Sequence, residues 1–200
     1  MKNLDVIALG ELLIDFTENG FSANGNPLLE ANPGGAPCNV LAMLQNLGKK
    51  TAFIGKVGKD AFGDYLKDTV CQAGIDVTNL IQDATVPTTL AFVHTAADGD
   101  RSFSFYRDPG ADMMLSESEI DYSQITDAKI FHFGTLSMTH DGVRAATIKA
   151  VDYAKKHGLL ISFYPNYRPL LWKKEETAKE MMRYGCEICD ILKISDDEIT

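Results

Sequence analysis

Two adjacent glycines in front of a helix-like segment are the feature of this sequence most suited to binding a ligand. They lie in the run NPGGAPCN at positions 32–39. Without Cβ atoms, Gly34 and Gly35 would let a ligand approach the backbone, and the free N–H groups of the following helix would point at its oxygen atoms. Asn39 lies four residues after Gly35, on the same helical face, and offers both a donor and an acceptor. This pattern suits a polyol, although a simple turn leading into a capped helix would use the same residues.

A second glycine-rich run, GKVGKDAFG at 55–63, follows shortly after the first. Asp60 is typical of a helix N-cap, and Gly55, Gly58 and Gly63 would relieve crowding where a strand turns into a helix. We therefore predict that this run is mainly architectural.

The elements that position these residues alternate between strand and helix. Hydrophobic periodicity, together with glycine and proline signals, predicts strands at 4–10, 12–16, 51–57, 129–133, 159–163 and 191–194. The same signals predict one helix that begins at residue 36 and is ended by Gly48, and three more at 61–73, 141–157 and 175–184. Alternation of this kind predicts an α/β fold, in which a mostly parallel sheet is covered by helices on both faces.

A small β appendage is expected above the main sheet. Two β-rich runs, 88–95 and 101–106, flank the residues AADGD, which are a hairpin signal and do not fit the strand–helix alternation. The polar residues 17–32 predict a loop or an exposed hairpin. All 200 residues would then belong to one domain, with a small β lid from about 17–32 and 88–108.

The composition is that of an ordinary globular protein, and it limits the class of partner. Hydrophobic residues make up 45% of the 200 residues and charged residues 24%, with a net charge of −9. Duplex DNA and anionic membranes require a positive field, so we expect neither nucleic acid nor a membrane as a partner. A phosphorylated ligand remains compatible, because local N–H groups and one cation can hold it. The start of the chain lacks a signal-peptide pattern, and its apolar stretches fall far below the ~18 residues of a membrane span.

Four cysteines occur in segments that otherwise have a core pattern: Cys38, Cys71, Cys186 and Cys189. The last two have CxxC spacing, but the four histidines are isolated and supply no second pair of ligands. We predict buried thiols that behave as small hydrophobic side chains, and no metal centre. This cysteine usage favours a reducing cytoplasm over a disulfide framework.

Taken together, the sequence resembles the ribokinase-like PfkB carbohydrate kinases, and most closely the fructokinases. The first signature of that family has a glycine pair followed by asparagine, and then GxVGxDxFG at the start of the next helix, in the order found here. GELLID at 10–15, RDPGAD at 107–112 and YPNYRPLLW at 164–172 are similar to further family runs in the same order. KISDDE at 193–198 resembles the N-x-x-E element in its serine form. The resemblance covers essentially the whole chain.

The resemblance implies a sugar site assembled from several of these runs. The substrate-binding residues would be Asp15, Gly34, Gly35, Asn39, Arg107 and Arg168. Arg107 would project from the lid edge towards the sugar. Lys193 would lie near the nucleotide, and Glu198 would act indirectly on Mg²⁺ by arranging its water shell.

Each of these charged residues also has a simpler interpretation. Asp15 could be a solvated strand-end carboxylate, Arg107 a surface cation beside Asp108, and Glu198 an acid in the first turn of a Ser-capped helix. Tyr164 departs from the family run, which has Asp at this position. Loss of that carboxylate would leave the guanidinium of Arg168 less well oriented.

The reaction and its cofactors also follow from the resemblance. They would be those of a kinase that uses ATP and Mg²⁺ to phosphorylate the primary hydroxyl of fructose. Independently of the resemblance, the edge of the β lid would be a natural surface for a homodimer, since unpaired strand edges invite pairing. The catalytic base and anion hole of the family lie in a GAGD segment, which the resemblance places beyond Thr200, and no such run occurs in these 200 residues. We therefore assign no catalytic residue and expect the 200-residue chain alone to be inactive.

Two other functions stay open at this point. A 2-keto-3-deoxygluconate kinase shares the run around Arg168, although RDPGAD favours fructose. A non-catalytic sugar-binding protein would also fit the absence of GAGD and the presence of Tyr164. A dinucleotide-binding oxidoreductase is excluded, because no GxGxxG follows the first strand.

Overall fold

The structure, a computed structural model, describes residues 2–95 and 101–198. Its strands are β1 (Leu4–Leu9), β2 (Leu13–Phe21), β3 (Pro27–Gly34), β4 (Thr51–Gly58), β5 (Asp76–Asp83), β6 (Leu90–Thr95), β7 (Arg101–Tyr106), β8 (Ala128–Gly134), β9 (Leu160–Tyr164) and β10 (Ile191–Leu192). Its α-helices are α1 (Ala36–Asn46), α2 (Ala61–Gln72), α3 (Tyr122–Thr126), α4 (Asp141–Lys156) and α5 (Glu175–Ile188).

The main sheet is parallel throughout the described residues and has the order β10-β9-β8-β1-β4-β5. Helices cover both of its faces, and successive side chains of β1 point alternately to one face and to the other. Ile7 and Leu9 pack into a core that contains residues of α4, whereas Val6 and Ala8 pack into a second core with residues of α1 and α2. Burial on both faces explains why β1 is almost continuously apolar. The predicted α/β fold is confirmed.

A second, four-stranded sheet has the order β3-β2-β6-β7 within the described part of the chain. The chain passes from β1 in the main sheet to β2 in the second sheet through residues 10–12. Phe16 of β2 stacks on Phe92 at a centroid distance of 5.0 Å and meets Phe62 of α2 edge-on at 5.6 Å. These aromatic contacts pack the second sheet against α2 beside the main sheet.

Several predicted boundaries differ from the structure. Of the two forms predicted for residues 17–32, a loop or an exposed hairpin, the structure has the hairpin, but the strand predicted at 12–16 continues as β2 to Phe21 and β3 begins at Pro27. Strand β5 was not predicted at all. It is an edge strand with polar residues such as Asn79 and Gln82, and its register against β4 is irregular, so it has no clear apolar alternation. The predicted turn at 96–100 lies outside the described residues.

The prediction of buried thiols is wrong for most of the cysteines. Only Cys38, on the inner face of α1, is buried among the four. Cys71 and Cys186 are exposed, because they lie on the outer faces of α2 and α5, and Cys189 is partly buried just beyond α5. Within residues 2–95 and 101–198, no helix is both long enough and apolar enough to cross a membrane.

Candidate functional site

A cavity of about 620 Å³ lies between the carboxyl ends of the main-sheet strands and the second sheet. Ligands of parallel α/β proteins commonly bind at that edge of the sheet. Leu13 of β2 and Phe103 and Phe105 of β7 line its apolar side. Its charged and polar side chains are those of Glu11, Asp15, Asn39, His132, Tyr164, Asn166, Arg168 and Lys193.

The glycine pair is built into the turn that precedes α1. Gly35 has φ +127°, and a Cβ atom at this position would collide with the backbone carbonyl of Glu11. Gly34 pairs with Leu13, and a Cβ atom there would run into the carboxylate of Asp15. Gly35 and Asn39, two of the residues that the resemblance assigns to substrate binding, line the cavity. Gly34 is absent from the lining and instead makes room for Asp15.

Asp15 presents a carboxylate to the cavity without a hydrogen-bond partner among the described residues. It lies on β2 opposite Asn32 and is partly buried. Burial raises its pKa above the ordinary value, and the guanidinium of Arg168 acts in the opposite direction. A partly desolvated acceptor of this kind is suited to hydroxyl donors of a ligand.

Glu11 is a buried carboxyl group that the sequence reasoning did not single out. Its Oε1 accepts a hydrogen bond from the backbone N–H of Ala36 at 2.8 Å, at the first turn of α1. Burial raises the pKa of Glu11 to about 7, although the backbone hydrogen bonds lower it. The signal that could have identified Glu11 is an acid placed two residues after the end of the buried strand β1.

Arg107 does not reach the cavity, in contrast to the sequence prediction. Its guanidinium is buried, and it donates to Asp112 Oδ2 from Nε at 2.8 Å and from Nη2 at 2.6 Å. It also donates to Thr139 Oγ1 at 2.8 Å and to the carbonyl oxygen of Leu136 at 2.9 Å. A buried charge must be paired and hydrogen-bonded, and Asp112 of the same RDPGAD run provides this pairing. Arg107 therefore ties the second sheet to the segment after β8.

Two cations line the cavity from the main-sheet side. Arg168 is partly buried, donates from Nη1 to the carbonyl oxygen of Tyr167 at 3.1 Å, and lies 5.8 Å from the ring centroid of Phe103. The ammonium group of Lys193 lies 3.6 Å from the ring centroid of Tyr164, which is a cation–π contact. Tyr164 thus contacts Lys193 through its ring face.

Glu198 organises the backbone near the cavity and does not line it. Its Oε1 accepts from the backbone N–H of Tyr167 at 2.7 Å, and its Oε2 accepts from the N–H and hydroxyl of Ser195 at 2.9 and 2.6 Å. Partial burial opposes ionisation, but the hydrogen bonds from Ser195 and Tyr167 lower the pKa of Glu198. A carboxylate offers about four acceptor positions, so one remains for a water-mediated contact to a cation. The described residues contain no cluster of three or more metal-ligating side chains.

His132 is another residue of this cavity that the sequence reasoning missed. It is 4% exposed, its Nδ1 lies 3.0 Å from Ser162 Oγ, and its Nε2 has no partner among the described residues. Burial lowers the pKa of His132 to about 4, so the ring is neutral at pH 7. A histidine in the middle of a buried strand gives no sequence signal that separates a site residue from a core residue.

The catalytic base of the family is assigned to no residue of this chain, because the sequence resemblance places it beyond Thr200. Thr200 itself lies outside the described residues, which end at Glu198. The expected position of the base therefore stays a prediction, and an assay of the chain for kinase activity tests it.

The parallel sheet with helices on both faces, and the second sheet over the cavity, agree with the architecture expected from the resemblance to the ribokinase-like carbohydrate kinases. Residues 3–200 match the model of the pfkB family of carbohydrate kinases, and the chain belongs to that family.

Relatives within the family have fructokinase names. The chain is 43% identical over 197 residues to the probable fructokinase-7 of Arabidopsis thaliana, covering 98% of this chain and 57% of the relative. It is 41% identical to fructokinase-2 of Solanum lycopersicum, covering 97% and 60%. The chain therefore spans less than two-thirds of the length of these curated relatives.

Solved structures of fructokinases have the same fold. A fructokinase from Xylella fastidiosa superposes with a TM-score of 0.90 at 35% identity, covering 96% of this chain and 60% of that chain. A second structure of that enzyme, with bound ATP, superposes with a TM-score of 0.88 and covers 96% and 58%.

Proposed function

We propose that these residues form the sugar-binding part of an ATP-dependent kinase that phosphorylates the primary hydroxyl of fructose. The observation that carries this proposal is the carboxylate of Asp15, which has no hydrogen-bond partner among the side chains that the structure describes and lines the same cavity as Arg168 beneath the second sheet. The fructokinase names of the relatives support fructose as the sugar. Since the chain covers only part of those relatives, the activity is proposed for a longer protein that contains these residues.

Each residue of the cavity has a chemical role in this proposal. Asp15 accepts hydrogen bonds from adjacent hydroxyls, because its two oxygens can bind a diol at once. Asn39 adds a donor and an acceptor next to the close backbone approach at Gly35. Arg168 holds oxygen atoms of the sugar or of the transferred phosphoryl group from the opposite side.

The nucleotide and Mg²⁺ are assigned to the side of the cavity where β9 and β10 end. Lys193 binds the nucleotide phosphates as a point charge, and Tyr164 restricts where its ammonium lies. The remaining acceptor position of Glu198 holds a water of the cation, which fits the preference of Mg²⁺ for indirect carboxylate contacts. When bound, Mg²⁺ would neutralise charge on the transferred phosphoryl group.

We further propose that the second sheet, within 17–32 and 88–108, serves as a lid and that two copies associate through it. Its edge strands β3 and β7 leave backbone groups free for pairing, and Phe21, Leu29 and Tyr106 are exposed. We also propose a cytoplasmic location, consistent with the four free thiols. One relative, 42% identical, is named as chloroplastic.

Fructose binding by the purified 200-residue chain tests the sugar assignment. Asp15→Asn should weaken the affinity by about 1–3 kcal/mol, or roughly tenfold or more, because it strands a desolvated hydroxyl. Asp68→Asn, an exposed position on α2, is the matched control and should bind like the wild type. Isothermal titration calorimetry measures both. Equal affinity of folded Asp15→Asn and wild type would contradict the role of Asp15.

A 2-keto-3-deoxygluconate kinase is the second candidate, and one observation favours it. Arg168 and Lys193 both line the cavity and would suit a carboxylate substrate, whereas Arg107, whose run favoured fructose, does not reach it. Titration of the chain with both sugars separates the two candidates. If the natural substrate carries a carboxylate, 2-keto-3-deoxygluconate should bind more tightly than fructose, and Arg168→Gln should lose this preference.

A further inference from the structure

A second cavity is lined by residues from the starts of both α4 and α5. Its volume is about 260 Å³, and its described lining residues are all different from those of the 620 Å³ cavity. His140 and Lys174, the residues that precede the two helices, both line it, and neither caps its helix with its side chain. The first N–H groups of a helix have no partner within the helix and favour negative charge. The side chains around the two helix starts therefore decide whether an anion can be held there.

The charged side chains of this second cavity are mostly cationic. Arg144 is fixed in position, because its Nε donates to the carbonyl oxygen of Met138 at 2.7 Å and its Nη1 donates to Asp141 Oδ1 at 2.9 Å. A guanidinium has five N–H donors, so others remain for a ligand. Lys173 and Lys174 also line the cavity, and they form no ion pair with any carboxylate that the structure describes. Asp141 is the acid of the lining, but its side chain is 94% exposed and already pairs with Arg144.

Two residues that line this cavity have a buried ring nitrogen without a hydrogen-bond partner among the described residues. The atoms are Nε1 of Trp172 and Nδ1 of His140. An indole N–H can only donate, and burying it unpaired costs free energy. The side chain of Thr177 adds a hydroxyl group to the lining. Donors therefore outnumber acceptors in the second cavity, and an oxyanion supplies acceptor atoms.

We propose that this second cavity binds an oxyanion of the size of a phosphate group. The guanidinium of Arg144 holds its oxygen atoms through the free N–H donors, and Lys173 and Lys174 contribute two further charges. The indole N–H of Trp172 pairs with another oxygen, which removes the cost of burying it unpaired. A tetrahedral group suits this arrangement, because its oxygens point in several directions at once. The site is separate from the sugar cavity and does not rest on the proposed function.

An anion in the second cavity bridges two segments that lead back to the sugar cavity. Thr139 lines the second cavity just before α4, and its hydroxyl accepts a hydrogen bond from Arg107. Trp172, on the other side, lies four residues after Arg168. A ligand that binds both segments only in the folded chain should stabilise the fold, so Tm should rise with its concentration.

The test follows the indole N–H of Trp172, the only tryptophan of the 200 residues, which gives one indole cross-peak in ¹⁵N–¹H spectra. Potassium phosphate is titrated into the purified chain, with potassium chloride added to keep the ionic strength constant. We expect the indole peak to move and to saturate, and Tm to rise in parallel. Methyl phosphate is titrated in the same way. Saturable binding of either form supports the site, and the lower Kd shows whether the free ion or a phosphate ester is preferred.

Variants of the lysines test which groups hold the anion. Lys173→Gln combined with Lys174→Gln should raise the Kd for phosphate about tenfold, because two charge-assisted contacts are lost. Lys49→Gln combined with Lys50→Gln is the matched control. These adjacent lysines are exposed between α1 and β4, so the same change in net charge should leave the Kd unchanged. Arg168→Gln, in the sugar cavity, should also leave the indole titration unchanged.

Three results would overturn the inference. An indole peak that stays in place, or that moves without saturating, means that the second cavity binds no phosphate. An equal response to potassium acetate or potassium chloride means that the cavity does not select a phosphate group. Loss of the titration in Arg168→Gln assigns the anion to the sugar cavity instead. Fructose binding is measured separately, so the proposed function stands or falls independently of these results.

Discussion

Replacing Arg107 by methionine removes the guanidinium that joins the second sheet to the segment after β8. Four hydrogen bonds are lost, two to Asp112 and one each to Thr139 and the carbonyl of Leu136. The side chain of Asp112 is 2% exposed and would keep only its bond from Thr89, at 2.5 Å. Removing one partner of a buried ion pair costs about 3–5 kcal/mol, because the other charge stays buried without compensation.

A double-mutant cycle separates this effect from simple loss of contacts. Arg107→Met should lower the free energy of unfolding by about 3–5 kcal/mol, whereas Arg107→Met combined with Asp112→Leu should recover much of the loss. Urea unfolding at pH 7 measures Arg107→Met, Asp112→Leu and the double variant against the wild type. Lys129→Met, which removes the partner of Asp5 in an exposed pair, is the control and should cost less than about 1 kcal/mol.

The reasoning would be refuted by a stable Arg107→Met variant. A loss below about 1 kcal/mol would mean that the pair is as weak as a surface ion pair. A stable variant that has lost fructose affinity would restore Arg107 to the sugar site, as the sequence first predicted.

Three further predictions concern the cavity and the chain. Burial raises the pKa of Glu11 to about 7 from its ordinary value, so the wild type should lose stability as the pH rises from about 4.5 to above 7, and Glu11→Gln should be free of this loss. In urea unfolding, the free energy of unfolding of the wild type should be lower at pH 8 than at pH 5 by on the order of 2–3 kcal/mol. The absence of this difference would mean that the carboxyl group of Glu11 titrates normally. In a longer kinase containing these residues, Tyr164→Phe should retain activity, because Lys193 contacts the face of the ring and not the hydroxyl. Tyr164→Asp should raise kcat/KM for fructose by about tenfold. Equal kinetics in the wild type and both variants would mean that the position is merely structural. The 200-residue chain should not phosphorylate fructose with ATP and Mg²⁺ in a coupled assay, and measurable turnover would show that catalytic residues lie within it rather than beyond Thr200.

The sequence was sufficient for features that depend on local backbone geometry and hydrophobic periodicity. The glycine pair that was predicted to precede a helix does so, and Gly35 has a positive φ at the start of α1. The parallel sheet followed from the alternation of buried strands and helices. The edge strand β5 gave no such signal, because its side chains are mostly polar and its pairing with β4 is irregular.

Side-chain direction was the part that the sequence could not supply. Asp15 and Arg107 both follow apolar strand residues, yet Asp15 faces the cavity while Arg107 turns into a buried pair with Asp112. The difference depends on a contact to Thr139, a residue far along the chain. Glu11 and His132 were missed for the same reason, since their burial and neighbours arise only when several strands meet.

The path from β1 to β2 places the carboxylate of Asp15, the proposed sugar ligand, on the sheet that covers the cavity. Asp15 belongs to β2 of the second sheet, whereas Arg168 follows β9 of the main sheet. The linker between the sheets is residues 10–12, where Gly10 lies against the ring of Pro37 and Glu11 holds the start of α1. In the proposed kinase, a rotation of the second sheet about this linker would change the separation of Asp15 from Arg168, so opening the cover and releasing the sugar would be one motion. A substitution that stiffens the linker would therefore slow both the entry and the exit of the sugar, even though it touches no hydroxyl.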